Sequence, residues 1–213
     1  MMPQASRLKK HIAGLYRLAN SFCARNPVNE AVTTHAHFSA SADTVWDHLM
    51  FYEEIPGRAP LILRALLTDA MRTKGNKTRA GAIVSCEYAR GYLIKRIKTV
   101  APPCSLQFDV LEQRLGIESC ILARGGSYQI HSAGDAADVE LTTKYWTFLR
   151  PRFLWRFLEA YLVHQLHKHI LRGVRSAILA ASPARSPVAE VSRREGSTSG
   201  GLACTISQSS SRH

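Results

Sequence analysis

The fold is decided by residues 138–180, which read DVELTTKYWTFLRPRFLWRFLEAYLVHQLHKHILRGVRSAILA. The first part alternates apolar and polar residues, which is typical of a strand with one buried face. Pro151 follows it, and proline suits the first position of a helix. Behind Pro151, apolar residues recur at helical spacing for about thirty positions, or roughly 45 Å. A helix of that length spans a whole domain, so we expect it to lie across the sheet.

Upstream of this segment, further alternating stretches follow one another closely. Their connections are short and rich in glycine or proline, which predicts antiparallel pairing of successive strands. A glycine pair, Gly125-Gly126, interrupts the longest stretch and indicates a bulge or bend. The predicted strands are 81–89, 92–100, 104–112, 117–131 and 138–149.

The first part of the domain mixes a strand with helices. Residues 30–40 alternate like a strand, and Ser41 or Asp43 caps a helix that runs to about Phe51. A second short helix is predicted at 61–67. The fold class is therefore α+β: a curved antiparallel sheet wrapped around a long C-terminal helix, with two short helices after the first strand.

The flanking segments differ in composition from this domain, which we place at 30–181. The 213 residues carry a net charge of +12, and residues 1–29 contain no Asp or Glu. Apolar residues in 7–24 recur at helical spacing, which leaves three alternatives open: a helix packed on the domain, an anchor on an anionic membrane, or a mitochondrial presequence. Residues 182–213 are rich in Ser, Gly and Arg, and we expect a disordered tail.

Compartment and membrane contact follow from the cysteines and from the basic residues. Five cysteines without CxxC spacing favour reduced thiols in a cytoplasmic protein over a disulfide framework or zinc site. Peripheral membrane contact is an open alternative, because the leader and the start of the long helix place cations beside apolar or aromatic residues. The candidate membrane contacts are Lys9, Lys10, Leu15, Arg17, Arg152 and Trp155.

The order of elements resembles that of the START-like, or SRPBCC, superfamily over about residues 30–180. The stretch ASADTVWDHL at 40–49 is similar to the entry of its first helix, and LGIESCILARGGSYQI at 115–130 is similar to its late strands. The resemblance implies the helix-grip fold and a hydrophobic pocket beneath the long helix. The superfamily includes polyketide cyclases, lipid-transfer proteins, coenzyme Q-binding proteins and plant hormone receptors, so it implies no single reaction.

A curved sheet and a straight helix diverge at one end, and an apolar gap of that kind is a usual small-molecule site. The candidate lining residues come from the inward strand faces and the helix stripe. They are Phe108, Tyr128, Ile130, Thr143, Tyr145, Leu158, Tyr161 and Gln165. Each is equally explained as ordinary core, and the tyrosines are the stronger candidates because a buried hydroxyl needs a partner.

Two functions stay open. A non-enzymatic carrier or sensor of a lipid or apolar metabolite is favoured, because the sequence has no GxSxG, HExxH, Walker or dinucleotide motif. The alternative is a polyketide cyclase or dehydratase in which Tyr128, Tyr145 or Glu118 moves protons. Glu118 is expected on a strand, where it either faces inward or forms a salt bridge with Arg124 or another arginine of the sheet.

Other chemistry is disfavoured. His164 and His167 share a helix face, but a third metal ligand is lacking, so we expect neither a metal nor a cofactor. Basic residues including Lys95 and Lys98 are interpreted as a solvated sheet exterior, and nucleic acid is a disfavoured partner.

Overall fold

The structure is a computed structural model that describes residues 23–50, 70–88 and 91–181. The predicted leader helix, the short helix at 61–67 and the C-terminal tail lie outside these ranges, except that residues 23 and 24 belong to a strand. The strands are β1 (Cys23–Phe38), β2 (Ala70–Lys74), β3 (Ile83–Tyr88), β4 (Gly91–Ala101), β5 (Ser105–Arg114), β6 (Ile121–Ala133) and β7 (Ala136–Leu149). The helices are α1 (Ala42–Met50) and α2 (Arg152–Ala181).

Within the described residues the strands form one seven-stranded antiparallel sheet in the order β1-β7-β6-β5-β4-β3-β2. From β2 to β7 each strand pairs with the next one in the chain, as the short turns predicted. The first strand then pairs with the last. The α+β fold with a long C-terminal helix is therefore confirmed, and β2 is a strand that the alternation of residues did not reveal.

The first strand is longer than predicted. It begins at Cys23, where the sequence pattern placed the end of a helix, and it passes through Pro27. The register of β1 against β7 shifts between Cys23 and Val28. Proline cannot donate a hydrogen bond to a neighbouring strand. An irregular stretch of an outer strand can therefore accommodate Pro27.

The glycine pair in β6 produces the irregularity that its position predicted. The register of β6 against β7 shifts between Ala123 and Gly125, and Gly125 has a φ of 155°. A Cβ on Gly125 would collide with the carbonyl oxygen of Phe108 on the neighbouring strand. A Cβ on Gly126 would lie 2.9 Å from Cζ of the Phe108 ring. Both glycines thus allow β5 and the Phe108 side chain to approach β6 closely.

The core lies between the sheet and the two helices. The backbone oxygen of Ser41 starts α1 by accepting from Val45 N at 3.0 Å, and the helix buries Val45 and Leu49 completely. Burial of one such aliphatic side chain stabilises the fold by roughly 1.5–3 kcal/mol. On α2, the residues that join this core, Ile170 and Val174 among them, come from its C-terminal half.

A pair of thiols connects the beginning of β1 to the turn before β6. The Sγ atoms of Cys23 and Cys120 are 2.7 Å apart. Burial, together with the neighbouring Cys120, raises the pKa of Cys23 to about 12. Cys23, Cys86 and Cys120 are free thiols, whereas Cys104 forms a disulfide bond, so the prediction of reduced cysteines is wrong for Cys104.

No helix within the described ranges is both long enough and apolar enough to cross a bilayer.

Candidate functional site

A small cleft opens on the inner side of the sheet, between the end of α1, the turn before β3 and the middle strands. Its described lining residues are Met50, Lys77, Val84, Lys95, Ile97, Leu106, Phe108 and Tyr128. α2 contributes none of these residues, so this cleft lies closer to α1 than the predicted pocket beneath the long helix. Because the described part of its wall is apolar apart from two lysines and a phenol, it has the composition of a small-molecule site.

Two aromatic rings form one wall of the cleft. The centroids of Phe108 and Tyr128 are 5.8 Å apart with the planes tilted by 56°. Tilted pairs at this distance are favourable because the edge of one ring meets the face of the other. The missing side chain of Gly126 provides the space that the Phe108 ring occupies. The glycine pair therefore bends the sheet and also positions one aromatic wall of the cleft.

Lys95 places a charge inside this apolar wall. The side chain follows the inward parity of Leu93 and Ile97 on β4, and Lys95 is only 6% exposed. Its Nζ lies 4.8 Å from the centroid of Phe108, within the range of a cation–π interaction. An ammonium in a low-dielectric wall attracts a negative group more strongly than an ammonium in water does.

The rim of the cleft is built from long, unbranched side chains. Lys77 Nζ donates to the carbonyl oxygen of Met50 at 2.7 Å, which ties the turn before β3 to the end of α1. The cleft encloses about 290 Å³ between atoms, counting its open mouth, but only about 20 Å³ is wide enough for the centre of a water molecule. It therefore has room for ordered water, and a larger guest requires Met50, Lys77 or Lys95 to change rotamer.

A buried polar network holds the start of α2 against the sheet. Glu159 is 1% exposed; its Oε1 accepts from Arg152 Nη1 at 2.8 Å and from Thr147 Oγ1 at 2.7 Å. Arg152 Nη2 donates to Glu159 Oε2 at 3.0 Å and to Glu30 Oε1 at 2.8 Å. Tyr145 donates a longer bond to Glu159, and burial followed by the charge of Glu159 raises the pKa of Tyr145. The phenol therefore stays protonated at neutral pH.

Two histidines extend this polar contact along α2. Thr34 Oγ1 lies 2.7 Å from His164 Nδ1 and 2.8 Å from His167 Nδ1, and His167 Nε2 lies 2.8 Å from Thr143 Oγ1. Burial, and then the neighbouring His164, lowers the pKa of His167 to about 4. His167 is thus neutral at pH 7, with one ring nitrogen donating and one accepting. No group of three metal-ligating side chains occurs among the described residues.

The structure distributes the predicted lining residues over three places. Phe108 and Tyr128 line the cleft, and Ile130 is buried in the core. Thr143 and Tyr145 bond to α2 in the polar network, and Gln165 is half-buried on α2. Leu158 and Tyr161 expose about half of their surface, at 43% and 51%. Only two of the eight therefore belong to the described cleft.

The membrane contacts predicted on the long helix also need correction. The side chain of Arg152 is only 20% exposed and is engaged with two carboxylates, so it is not free to bind a lipid headgroup. Trp155 is half-buried, and its Nε1 donates to the carbonyl oxygen of Arg150 at 3.0 Å. The other predicted contacts lie outside the described residues: Lys9, Lys10, Leu15 and Arg17.

Glu118 is not placed for proton transfer in the cleft. It lies in the turn before β6, and its carboxylate accepts from the backbone N–H groups of Leu115 and Gly116. Its expected partner Arg124 stacks instead on the Trp146 ring, with 4.0 Å from Cζ to the centroid. Both predictions for Glu118, an inward position on a strand and a pair with Arg124, were wrong.

Sequence reasoning missed Glu159, and its interpretation of Lys95 as part of a solvated exterior was wrong, since Lys95 is buried. The parity of β4 could have revealed Lys95, because it stands two residues from Leu93 on one side and from Ile97 on the other. Glu159 is the single acidic residue of α2 and stands among apolar neighbours. An isolated carboxylate in such a stretch is a signal of a buried ion pair.

No family model matches the chain, and no curated protein matches it. Among solved structures, an aromatase/cyclase from a Streptomyces species has 16% identity and a TM-score of 0.55, covering 76% of this chain and all of its own (100%). Norcoclaurine synthase from Thalictrum flavum, in complex with dopamine and hydroxybenzaldehyde, has 13% identity and a TM-score of 0.51, covering 78% of this chain and 93% of its own. A protein from Thermus thermophilus has 15% identity and a TM-score of 0.51, covering 72% of this chain and 100% of its own. At these identities the likeness shows the fold alone, and that fold is the helix-grip fold which the resemblance to the START-like superfamily implied.

Proposed function

We propose that this protein binds a hydrophobic small molecule that carries an anionic or electron-rich group, as a carrier or sensor of that molecule. The observation that supports the proposal is a buried lysine, Lys95, in the aromatic and aliphatic wall of a cleft that opens to solvent. Two of the described lining residues, Lys77 and Lys95, are lysines. An apolar guest with a negative end matches both the wall and its charge.

The proposal requires the cleft to widen when the guest enters. Drug-sized pockets measure roughly 300–1,000 Å³, whereas the volume of the cleft that is open to a water-sized sphere is only about 20 Å³. Movement of the flexible chains at the rim is the expected adjustment, because methionine and lysine change rotamer at low cost whereas the ring pair behind them is fixed by β5 and β6. We therefore expect the Lys77–Met50 hydrogen bond to break on binding.

Anilinonaphthalene sulfonate is a suitable probe, because phenylnaphthylamine offers the same rings without the sulfonate. We expect saturable binding of the sulfonate with one site per chain, weakened at least about tenfold by Lys95→Met. The matched control is Lys98→Met, since Lys98 is on the same strand with a side chain 54% exposed on the outer face. Phenylnaphthylamine should bind both variants about equally. Equal affinity of both variants for the sulfonate would contradict the role of Lys95.

The same proposal predicts a guest in protein purified from cells. Native mass spectrometry of the untreated protein should show a mass increment that solvent extraction removes. If the extracted and untreated proteins have the same mass, and the sulfonate probe also fails to saturate, the carrier function loses its support.

A cyclase-type enzyme is the second candidate, and the observation that favours it is that Tyr128 and Lys95 line the same cleft. These two groups are a proton donor and an electrostatic stabiliser in contact with the same space. The fold is shared with an aromatase/cyclase, at an identity that shows the fold alone. Turnover of a poly-β-ketone substrate that falls at least about a hundredfold in Tyr128→Phe would favour the enzyme, and unchanged turnover would exclude it.

A further inference from the structure

The N-terminal half of α2 presents an apolar face to solvent. Phe153 and Phe157 are 75% and 76% exposed, and they stand four residues apart, so they are neighbours on the helix surface. Three more apolar residues of this half are also exposed: Leu154, Leu158 and Tyr161. Large aromatic side chains with this exposure rarely cluster on a surface that has no partner. We refer to these five residues as the aromatic face.

The exposed charges that α2 itself carries have one sign. The only acid of α2, Glu159, is buried on the opposite side and bonded to Arg152. Arg156 is 72% exposed, with its Nε 4.0 Å from Glu30, and Lys168 and Arg172 continue the exposed cations along the helix. α2 thus offers aromatic rings and cations to solvent without an exposed carboxylate of its own.

The sign of these charges discriminates among the partners that an apolar face can take. The leader, residues 1–29, has five Lys or Arg and no acid, so its docking here would bring like charges together. A second copy that docked through the same face would bring the exposed cations of two α2 helices together. An anionic lipid surface is complementary, because it accepts rings at the headgroup level and attracts arginine. We infer that the aromatic face binds the surface of an anionic membrane.

This contact goes beyond the proposed function and does not depend on the cleft. Phe153 and Phe157 enter the boundary between headgroups and acyl chains, and α2 lies along the membrane plane. Arg156 extends toward the phosphates while its methylene chain stays on the apolar face. The polar network of Glu159 remains on the protein side, so binding requires no disruption of the helix anchorage.

Vesicle sedimentation of the full chain tests the inference. The vesicles are phosphatidylcholine alone or phosphatidylcholine with phosphatidylserine. We expect binding to the serine-containing vesicles, weakened on the order of 100-fold by the double change Phe153→Ser with Phe157→Ser, and about fivefold by Arg156→Gln. The matched control is Leu179→Ser, an equally exposed apolar residue at the other end of α2, which should bind like the unchanged chain.

The results of this experiment distinguish an anionic membrane from a second copy of the chain as the partner of the aromatic face. If the double variant partitions like the Leu179→Ser control, or if the phosphatidylserine has no effect, the inference is overturned. If the unchanged chain sediments as a dimer that becomes monomeric in the double variant, a second copy covers the face, which also overturns it. Probe binding in the cleft should be the same in all of these variants, so failure here and failure of the proposed function are distinguishable.

Discussion

Removal of the Glu159 carboxylate by Glu159→Ala should destabilise the fold strongly. The carboxylate is 1% exposed and accepts two hydrogen bonds from Arg152 and one from Thr147. Loss of one partner of a buried ion pair costs roughly 3–5 kcal/mol, because the other charge stays buried without compensation. Here Arg152 keeps its 2.8 Å bond to Glu30 and one fifth of its exposure, so the lower end, about 3 kcal/mol, is expected.

Urea unfolding followed by circular dichroism measures this loss of stability. In a thermal melt, the melting temperature should fall by roughly 6–12 °C. The matched control is Asp138→Ala on β7, the strand of Thr147, because the contact of Asp138 with His37 is also 2.8 Å long but is 60% exposed on both sides. An exposed pair contributes at most about 1 kcal/mol. If the two variants lose similar stability, the buried network does not hold the helix and the reasoning from burial is refuted.

Three other predictions concern single sites. The pKa of His167 is about 4 in the folded chain against a reference value of 6.5, so between these pH values the unfolded chain binds the extra proton. The free energy of unfolding should therefore fall by up to about 3 kcal/mol as the pH drops from 6.5 to 4. Urea unfolding at several pH values should show a weaker dependence of this free energy on pH in His167→Gln. Gly126→Ala should destabilise by about 1–3 kcal/mol, because its Cβ would lie 2.6 Å from the carbonyl oxygen of Thr142 and 2.9 Å from the Phe108 ring. Gly134→Ala meets no neighbour and is limited to backbone strain, and thermal melts compare the two. Cys23, with its pKa raised to about 12, should react with iodoacetamide at pH 8 far more slowly in the folded than in the urea-unfolded chain, as mass spectrometry would record.

The regular part of the fold could be predicted because its pattern is local. Alternation predicted a strand at 138–149 and the structure has β7 at Ala136–Leu149; helical spacing predicted a helix at 151–180 and the structure has α2 at Arg152–Ala181. Each of these patterns depends on residues within one element. The predicted start of the first strand, at residue 30, was wrong. Pro27 ends most regular elements, but it is tolerated where an outer strand carries a bulge.

The site was predicted less accurately than the fold, because contacts between different elements determine which side chains line it. Nearly every position from 153 to 158 is apolar, so a period of 3.6 residues fits more than one face of α2. Leu158 and Tyr161 were therefore placed toward the sheet, although the structure leaves them about half exposed. The true inward residue of this half is Glu159, whose burial depends on Arg152 and on Thr147 of another element.

The two halves of α2 are held by different forces, and this difference explains why one half can carry an exposed apolar face. The C-terminal half is held by apolar burial, since Ile170, Leu171 and Val174 join the core. The N-terminal half is held by Glu159 and its partners, which use directional bonds and need little apolar area. Because polar contacts fix that half, the exposed rings of Phe153 and Phe157 contribute little to its attachment to the sheet. The helix can therefore expose Phe153 and Phe157 without loss of its position on the sheet.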